Sequence, residues 1–330
     1  MVGPVTKAAA KFAEDIRGTV IPAVPVPFAA DGTLDEELHD RYAAWMARQH
    51  IGGIAVWAHT GRGMKLDPEQ RDRVLRGWRA AVVGRPIVCG VGVPESETLP
   101  TSPGLRTQAA VRCAVDVATQ ALRGGAEAAL VHPPKALADL PDAPDRIVEY
   151  HEAICAVGLP VIAFFLYEAA GGVSYSPELI ERLLALDGVV GIKLATLDSV
   201  MTYQDVLAAV GRVPGALVIT GEDRFLGYSL AAGASAALIG LGAAVTDCSV
   251  RLLQAKQSGQ WDVFYQLTSA VDAFAQATFV VPMEGYVQRM LWALEADGVF
   301  SREAFDPWSP ALAPEERDRV FAAVRQLRSR

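Results

Sequence analysis

Cysteine, basic charge and long apolar runs are all scarce in this chain. Only 4 cysteines occur among 330 residues, and none forms a C-x-x-C pair, which argues against a disulfide framework or a zinc site. The 30 basic residues are outnumbered by 38 acidic ones, so we expect no nucleic-acid partner and no anionic membrane surface. No uninterrupted apolar run reaches transmembrane length, and the N-terminus lacks the apolar core of a secretory signal. These absences predict a soluble cytoplasmic protein with reduced thiols.

What the chain does have is a regular alternation of strand-like and helix-like stretches between residues 19 and 250. Eight strands with intervening helices over this length predict a (β/α)8 TIM barrel. A doubly wound sheet is the alternative, but no G-x-G-x-x-G follows the first strand. The expected organisation is a helical lead-in (1–18), a catalytic barrel (19–250) and a C-terminal helical segment packed on it (251–330). The strand candidates are 19–28, 53–59, 86–92, 128–134, 160–167, 189–196, 216–223 and 236–242.

Lys193 is the most informative residue because it interrupts an apolar strand, Val189 to Thr196. Strand alternation places Gly191, Lys193 and Ala195 on one face. Burial lowers the pKa of a lysine toward the neutral amine, and a neutral amine can attack a carbonyl to form a Schiff base. The alternative is a lysine that extends its ammonium to water. A position inside a barrel strand favours the catalytic interpretation.

Two further strand ends carry groups suited to this chemistry. The fifth strand candidate ends at Tyr167, and alternation puts Ala163, Phe165 and Tyr167 on one face. If that face is the inner one, Tyr167 lies one strand from Lys193 at a similar height. A phenol there could transfer protons as the imine forms. The second strand ends in A-H-T-G-R-G, residues 58–63, a glycine-flanked turn whose amides and hydroxyl could hold a carboxylate.

This combination resembles the dihydrodipicolinate synthase and N-acetylneuraminate lyase family of class I Schiff-base aldolases. The resemblance rests on the G-I-K-x-A-T run around Lys193, the strand ending in Tyr167 and the turn at 58–63. It also includes T-G-E-D at 220–223 and Gly240 on the eighth strand. The chain is therefore similar to enzymes that bind pyruvate or another 2-oxo acid on a lysine, without metal or organic cofactor, and that assemble as dimers or tetramers.

The resemblance implies a role for each matched residue. Lys193 would be the nucleophile, Tyr167 the general acid/base, and His59 a proton relay beside it. The implied substrate-binding residues are Thr60, Gly61, Arg62 and Gly240.

Three segments depart from the family pattern. The strand-two turn is usually G-T-T-G-E, whereas here His59 replaces the first threonine and Arg62 replaces the glutamate. An imidazole can relay protons near neutral pH, and Arg62 could supply a cation for a substrate carboxylate. Residues 132–135 read H-P-P-K, where many members carry T-P-Y-Y-N with a tyrosine that completes a relay between subunits. Residues 168–172 lack the arginine that grips a second carboxylate in the synthases.

These departures argue against lysine-biosynthetic dihydrodipicolinate synthase activity. The leading hypothesis is a Schiff-base lyase or aldolase acting on pyruvate or a larger 2-oxo acid. A sugar-acid dehydratase using the same lysine imine is one alternative, and a 2-oxo acid sensor without turnover is another. The long loop at 93–104 is expected on the catalytic face, as a lid or a subunit contact.

Overall fold

The structure, a computed structural model, describes residues 4–329 and contains the predicted barrel. Eight parallel strands pair in the order β1-β8-β7-β6-β5-β4-β3-β2, and a parallel bridge between Ala23 and Ala55 closes the ring. This confirms the TIM-barrel prediction. The strands are β1 (Val20–Pro22), β2 (Ile54–Val56), β3 (Ile87–Val91), β4 (Ala128–Val131), β5 (Val161–Leu166), β6 (Val189–Ala195), β7 (Leu217–Thr220) and β8 (Ala236–Ile239).

Helices surround the strands and continue beyond them to form a C-terminal segment. Several begin where the sequence provides a cap: the Asp67 carboxylate accepts from the amide of Gln70, whose side chain reciprocates, and Pro68 follows at the first helical position. The helices are α1 (Pro4–Ile16), α2 (Glu36–Met46), α3 (Pro68–Ala81), α4 (Pro103–Arg123), α5 (Lys135–Ala138), α6 (Ala143–Cys155), α7 (Pro177–Leu184), α8 (Val200–Val210), α9 (Leu226–Ala231), α10 (Thr246–Gln257), α11 (Trp261–Thr278), α12 (Tyr286–Ala296) and α13 (Pro314–Arg328).

The lead-in and the C-terminal segment are both attached to the barrel. Phe12 and Ile16 of α1 belong to the apolar cluster that fills the barrel interior. The expected boundary at residue 251 falls within α10, so the C-terminal segment begins part-way along a barrel helix. Among residues 4–329, no helix combines the length and apolar character needed to cross a bilayer.

The inner face of β5 is not the face that carries Ala163 and Phe165. Ile162, Phe164 and Leu166 join the cluster inside the barrel, whereas Ala163 and Phe165 pack outward against the helices. The sequence left this point open because both faces of a parallel barrel strand are apolar, so alternation does not reveal which set points inward. Tyr167 still borders the interior, because β5 ends at Leu166 and the backbone turns there.

On β6 the expected inner face is the observed one. A register shift between β5 and β6 pairs Val161 with Val189 and then Ile162 with Gly191. Beyond this bulge Lys193 lies opposite Phe164 of β5 and opposite Ile219 of β7. The lysine therefore projects into the barrel between two apolar neighbours, near the carboxyl ends of the strands.

Candidate active site

Lys193 is buried, with only 5% of its surface exposed. Its Nζ lies 4.1 Å from the centre of the Phe164 ring. The backbone of β7 makes room for it, because a Cβ on Gly221 would overlap Cε of Lys193. Burial lowers the pKa of Lys193 well below its ordinary value, although Asp223 and Glu222 oppose this shift. The neutral amine that imine formation requires is therefore more abundant at a given pH than on an exposed lysine.

Two carboxyl groups that follow β7 lie close to this lysine. Asp223 accepts a hydrogen bond of 2.7 Å from the amide of Leu241, and burial raises its pKa. Glu222 accepts from the amides of Thr196 and Leu197, both at 2.8 Å, and burial raises its pKa to about 7. Leu197 has a left-handed backbone, with φ of 62°, so local strain accompanies this contact. Both carboxyl groups are thus buried close to the amine of Lys193.

The turn after β2 is a short 3-10 helix, His59–Gly61, placed beside the lysine. The amide of Gly61 donates to the carbonyl of Ala58 at 2.9 Å, so it is not free to hold a carboxylate as expected. Among the backbone hydrogen bonds of residues 4–329, the amides of His59 and Thr60 donate none. These two amides, rather than that of Gly61, are therefore available to an anion, as first-turn amides are.

Arg62 is placed differently from the expectation of an open cation on the rim. Its Nε and Nη2 donate to Asp306 at 3.1 and 2.8 Å. Its Nη1 donates to the Glu284 carboxylate at 2.6 Å, and Nη2 also donates to the Glu284 carbonyl. The side chain is only 3% exposed. A buried guanidinium needs such partners, so Arg62 links the turn after β2 to the C-terminal segment. A substrate carboxylate could bind Arg62 only by displacing Asp306 or Glu284.

Glu284, from the segment between α11 and α12, connects the predicted catalytic residues. Its Oε1 accepts a 2.8 Å hydrogen bond from the Tyr167 hydroxyl, and both carboxylate oxygens lie 3.0 Å from Nε2 of His59. Hydrogen bonds and charge from His59 and Arg62 hold the pKa of Glu284 well below its usual range against the opposing effect of burial. His59 and Tyr167 are therefore linked through a carboxylate.

The same segment contributes an aromatic pair to the site. Tyr286 stacks on Phe279 with 4.6 Å between ring centres, and its hydroxyl lies 3.0 Å from Oγ1 of Thr60. A Cβ at position 240 would approach the Phe279 ring at 3.2 Å and Tyr286 at 3.3 Å. Gly240 thus contributes space for the aromatic pair.

Several of these residues line a space of about 310 Å³, counted with its opening to solvent, at the mouth of the barrel, which we call the inner cavity. Its lining places the ε-amine of Lys193, the phenol of Tyr167 and the hydroxyl of Thr60 around one space. Groups of three or more His, Cys, Asp and Glu side chains arranged to hold a metal ion do not occur in the described part of the chain.

A family model named dihydrodipicolinate synthetase family matches residues 17–327. The chain belongs to this family. A curated relative from Emericella nidulans, named "Probable 4-hydroxy-2-oxoglutarate aldolase, mitochondrial", is 22% identical over 308 residues, which cover 91% of this chain and 92% of the relative. The family assignment confirms the resemblance inferred from the Lys193 and Tyr167 strands.

Solved structures agree with the fold. Dihydrodipicolinate synthase from Oceanobacillus iheyensis superposes with a TM-score of 0.80 at 21% identity, over 98% of this chain and all of that one. YagE, a prophage protein of the same family from E. coli K12 solved in complex with pyruvate, gives 0.79 at 21% identity, over 94% and 98% of the two chains. At this identity the likeness shows the shared fold.

Sequence reasoning missed Glu284 and Tyr286 because they lie outside the barrel strands. The segment F-V-V-P-M-E-G-Y carries only a weak signal, an acidic residue and a tyrosine beside a proline between two long helices. Asp223 and Glu222 were noted as part of T-G-E-D, but their sequence does not say that they pack behind the lysine. His132 was noted as a departure from the family, and the structure places it near the site, 6.1 Å from the Phe164 ring centre.

Proposed function

We propose that this protein is a class I aldolase or lyase that binds pyruvate, or the pyruvate portion of a larger 2-oxo acid, as an imine on Lys193. The single observation that carries this proposal is the buried amine, with a lowered pKa, facing the inner cavity together with the Tyr167 hydroxyl. A structural lysine would be paired and hydrogen-bonded at such a depth. Membership of a family of lysine-dependent aldolases supports the same function.

The 2-oxo acid would be held by its carboxylate. The amides of His59 and Thr60, which lie in the first turn of the short 3-10 helix, would donate to it as helix-start amides do to anions. Nζ of Lys193 then adds to the ketone carbon to give a carbinolamine, and loss of water gives the protonated imine. The positive charge of the imine draws electrons from a bond on the carbon next to the imine carbon. That bond is C–C in aldol cleavage and C–H in formation of the enamine.

Tyr167 is our candidate for moving protons during these steps. Because its O–H is directed at Glu284, the remaining lone pair of the phenol oxygen is free to accept a proton from the substrate. The phenolic proton would pass to Glu284 in the same event, and from there to His59, whose side chain is 19% exposed. This route connects the inner cavity with solvent through groups of one chain.

Aldol cleavage or condensation has more support than dehydration. The relative from Emericella nidulans is named as an aldolase, and other relatives are named as synthases. Dehydration would use the same imine, and this shared intermediate is the only support for it as the second candidate. A sensor without turnover has less support, because Glu284 and His59 give the site a proton pathway that simple binding does not need.

Borohydride trapping tests the proposal. Incubation with pyruvate and sodium borohydride should add one reduced pyruvate to the protein, and peptide mass spectrometry should find it on Lys193. Lys193→Met should abolish the adduct and lower turnover by more than about 1,000-fold, as loss of a covalent nucleophile does. Lys135→Met, at the exposed start of α5, is the matched control and should retain the adduct.

Each outcome of this experiment has a distinct meaning. An adduct on Lys193 accompanied by aldol product supports the proposal. An adduct without product, across a panel of aldehydes and 2-oxo acids, would support the sensor instead. No adduct with any 2-oxo acid, in folded protein, would overturn Schiff-base chemistry altogether.

A further inference from the structure

We propose that Arg289, paired with Glu316, is a positioning residue that keeps Glu284 within reach of its partners. This inference rests on the proposed function, in which the Glu284 carboxylate accepts a 2.8 Å hydrogen bond from the Tyr167 hydroxyl and takes its proton. A carboxylate exchanges protons only with groups at hydrogen-bond distance. Whatever holds the backbone around Glu284 therefore controls proton transfer in the site.

The segment between α11 and α12, which carries Glu284, has little apolar anchoring in its middle. None of the residues 280–284 is buried, and the side chain of Val281 is among the most exposed apolar ones, at 86%. Segments with few buried apolar contacts open easily. Side-chain packing by itself therefore does not account for the position of Glu284.

Arg289, on the first turns of α12, holds the backbone of this segment. Its Nη1 donates to three carbonyls, those of Thr278, Val280 and Pro282, at 3.3, 2.8 and 3.2 Å. The guanidinium also lies against Gly285, because a Cβ there would approach Nη2 of the arginine at 3.3 Å. One side chain thus contacts the backbone on both sides of position 284.

Glu316 of α13 fixes the guanidinium in turn. Nε of Arg289 donates to Oε2 of Glu316 at 2.7 Å, and Nη2 lies 2.6 Å from the same oxygen. The other oxygen of the carboxylate accepts from the amide of Ala313 at 3.2 Å, at the start of α13. Arg289 is fully buried, and a buried guanidinium that loses a partner is costly. The segment is therefore joined to the last helix of the chain through a pair that cannot easily move.

A second arginine–glutamate pair between the same two helices provides a comparison. Arg317 of α13 pairs with Glu295 of α12 at 2.7 Å, and its more distant partner is Glu303. Within residues 4–329, its recorded ion pairs and hydrogen bonds do not involve the segment between α11 and α12. Arg317 thus contributes to helix packing alone, whereas Arg289 also holds the backbone beside Glu284.

Hydrogen exchange on pyruvate isolates the step that this placement should affect. Loss of a methyl proton from the pyruvate imine gives the enamine, and return of a proton from solvent regenerates the imine. In D2O each cycle breaks one C–H bond and forms one C–D bond, and no second substrate is needed. The exchange rate therefore measures proton transfer, whereas the final yield of borohydride adduct measures imine formation.

The test follows deuterium incorporation into the pyruvate methyl group by proton NMR. Arg289→Lys replaces a planar fork with an ammonium that cannot span Glu316 and three carbonyls, so we expect exchange to fall about tenfold. The final yield of borohydride adduct on Lys193 should be unchanged. Arg317→Lys is the matched control and should retain full exchange.

Glu316→Gln is a milder variant that keeps volume and removes only the charge facing Arg289. It should lower exchange about threefold, again with an unchanged adduct. This variant decides the question if Arg289→Lys does not fold, as judged by circular dichroism.

Combination with Glu284→Gln identifies the group through which Arg289 acts. If Arg289 only places the Glu284 carboxylate, Arg289→Lys should lower exchange by less than about twofold once that carboxylate is gone, because the two changes remove one function. A further tenfold loss in the double variant would overturn the inference.

Failure of this inference is distinguishable from failure of the proposed function. Full exchange in folded Arg289→Lys or Glu316→Gln would overturn the positioning role, and so would an equal loss of exchange and adduct. Both results leave Schiff-base chemistry standing when the unmodified protein forms the adduct on Lys193. Absence of that adduct in the unmodified protein, with pyruvate and other 2-oxo acids, would overturn both.

Discussion

The two sides of the barrel mouth contribute to the candidate site in different ways. On one side, Lys193 lies near the end of β6 and Tyr167 directly follows β5, so the local sequence pattern reveals both. On the other side, Glu284 and Tyr286 come from the segment between α11 and α12 and reach the site only through folding. Tyr167 and Glu284, whose side chains are 2.8 Å apart, are separated by 117 positions in the chain.

The difference shows how the two sides assemble one hydrogen-bonded network at the candidate site. The barrel supplies Lys193 and Tyr167, and the C-terminal segment supplies the Glu284 carboxylate that connects Tyr167 to His59. All members of the resulting network, Tyr167, Glu284, His59 and Arg62, belong to one chain. We therefore expect the network to operate within a subunit, whatever the oligomeric state.

The largest expected loss of activity follows removal of the Tyr167 hydroxyl, with removal of the Tyr286 hydroxyl as the comparison. Tyr167→Phe should lower kcat by about 100- to 1,000-fold, because a positioned general acid/base typically contributes that much. Tyr286→Phe removes only the hydroxyl that meets Thr60 and should cost less than about tenfold. Steady-state kinetics with circular dichroism as a folding control would decide this. Similar losses in both variants would contradict the division between the two sides.

Glu284→Gln should have an intermediate effect. The substitution keeps volume and removes the negative charge that holds Tyr167, His59 and Arg62, so we expect kcat to fall by about 10- to 100-fold with little change in KM for pyruvate.

Two readouts and one control variant separate this role from a structural one. The pH profile of kcat should change shape in Glu284→Gln, because the proton pathway loses its central carboxylate. Glu315→Gln, on an exposed first turn of α13, should leave the profile and kcat intact. A loss of thermal stability in Glu284→Gln that accounts for all lost activity, with an unchanged profile, would contradict a role in proton transfer.

The smallest expected effect is a shift in the pH dependence of adduct formation on Lys193. Because burial lowers the pKa of Lys193, the neutral amine becomes abundant at lower pH than for an exposed lysine. The initial rate of borohydride-trapped adduct should therefore rise about tenfold per pH unit while the amine is mostly protonated and level off as pH passes the lowered pKa. Asp223→Asn removes a nearby negative charge that favours the ammonium, so its rise should shift to lower pH. A rise centred at the ordinary lysine pKa would contradict a tuned amine.

Much of the barrel was predictable because its strands are apolar runs between capped helices. The face of β5 was not, since Phe164 and Phe165 are equally apolar and only the closed barrel decides which ring turns inward. Arg62 shows the same limit. Its charge and its position after β2 suggested a substrate contact, but Asp306 lies 244 positions away, and only the tertiary structure pairs them.

The sequence by itself determined the barrel and the lysine at its interior, because strand periodicity and burial act over a few neighbouring residues. The tertiary structure alone decided that Glu284 joins Tyr167 to His59. It also decided that Arg62 is held in ion pairs with Glu284 and Asp306. The stacking of Phe279 and Tyr286 at one side of the inner cavity likewise depends on it. These contacts join distant parts of the chain, and their geometry follows from how the C-terminal helices pack on the barrel.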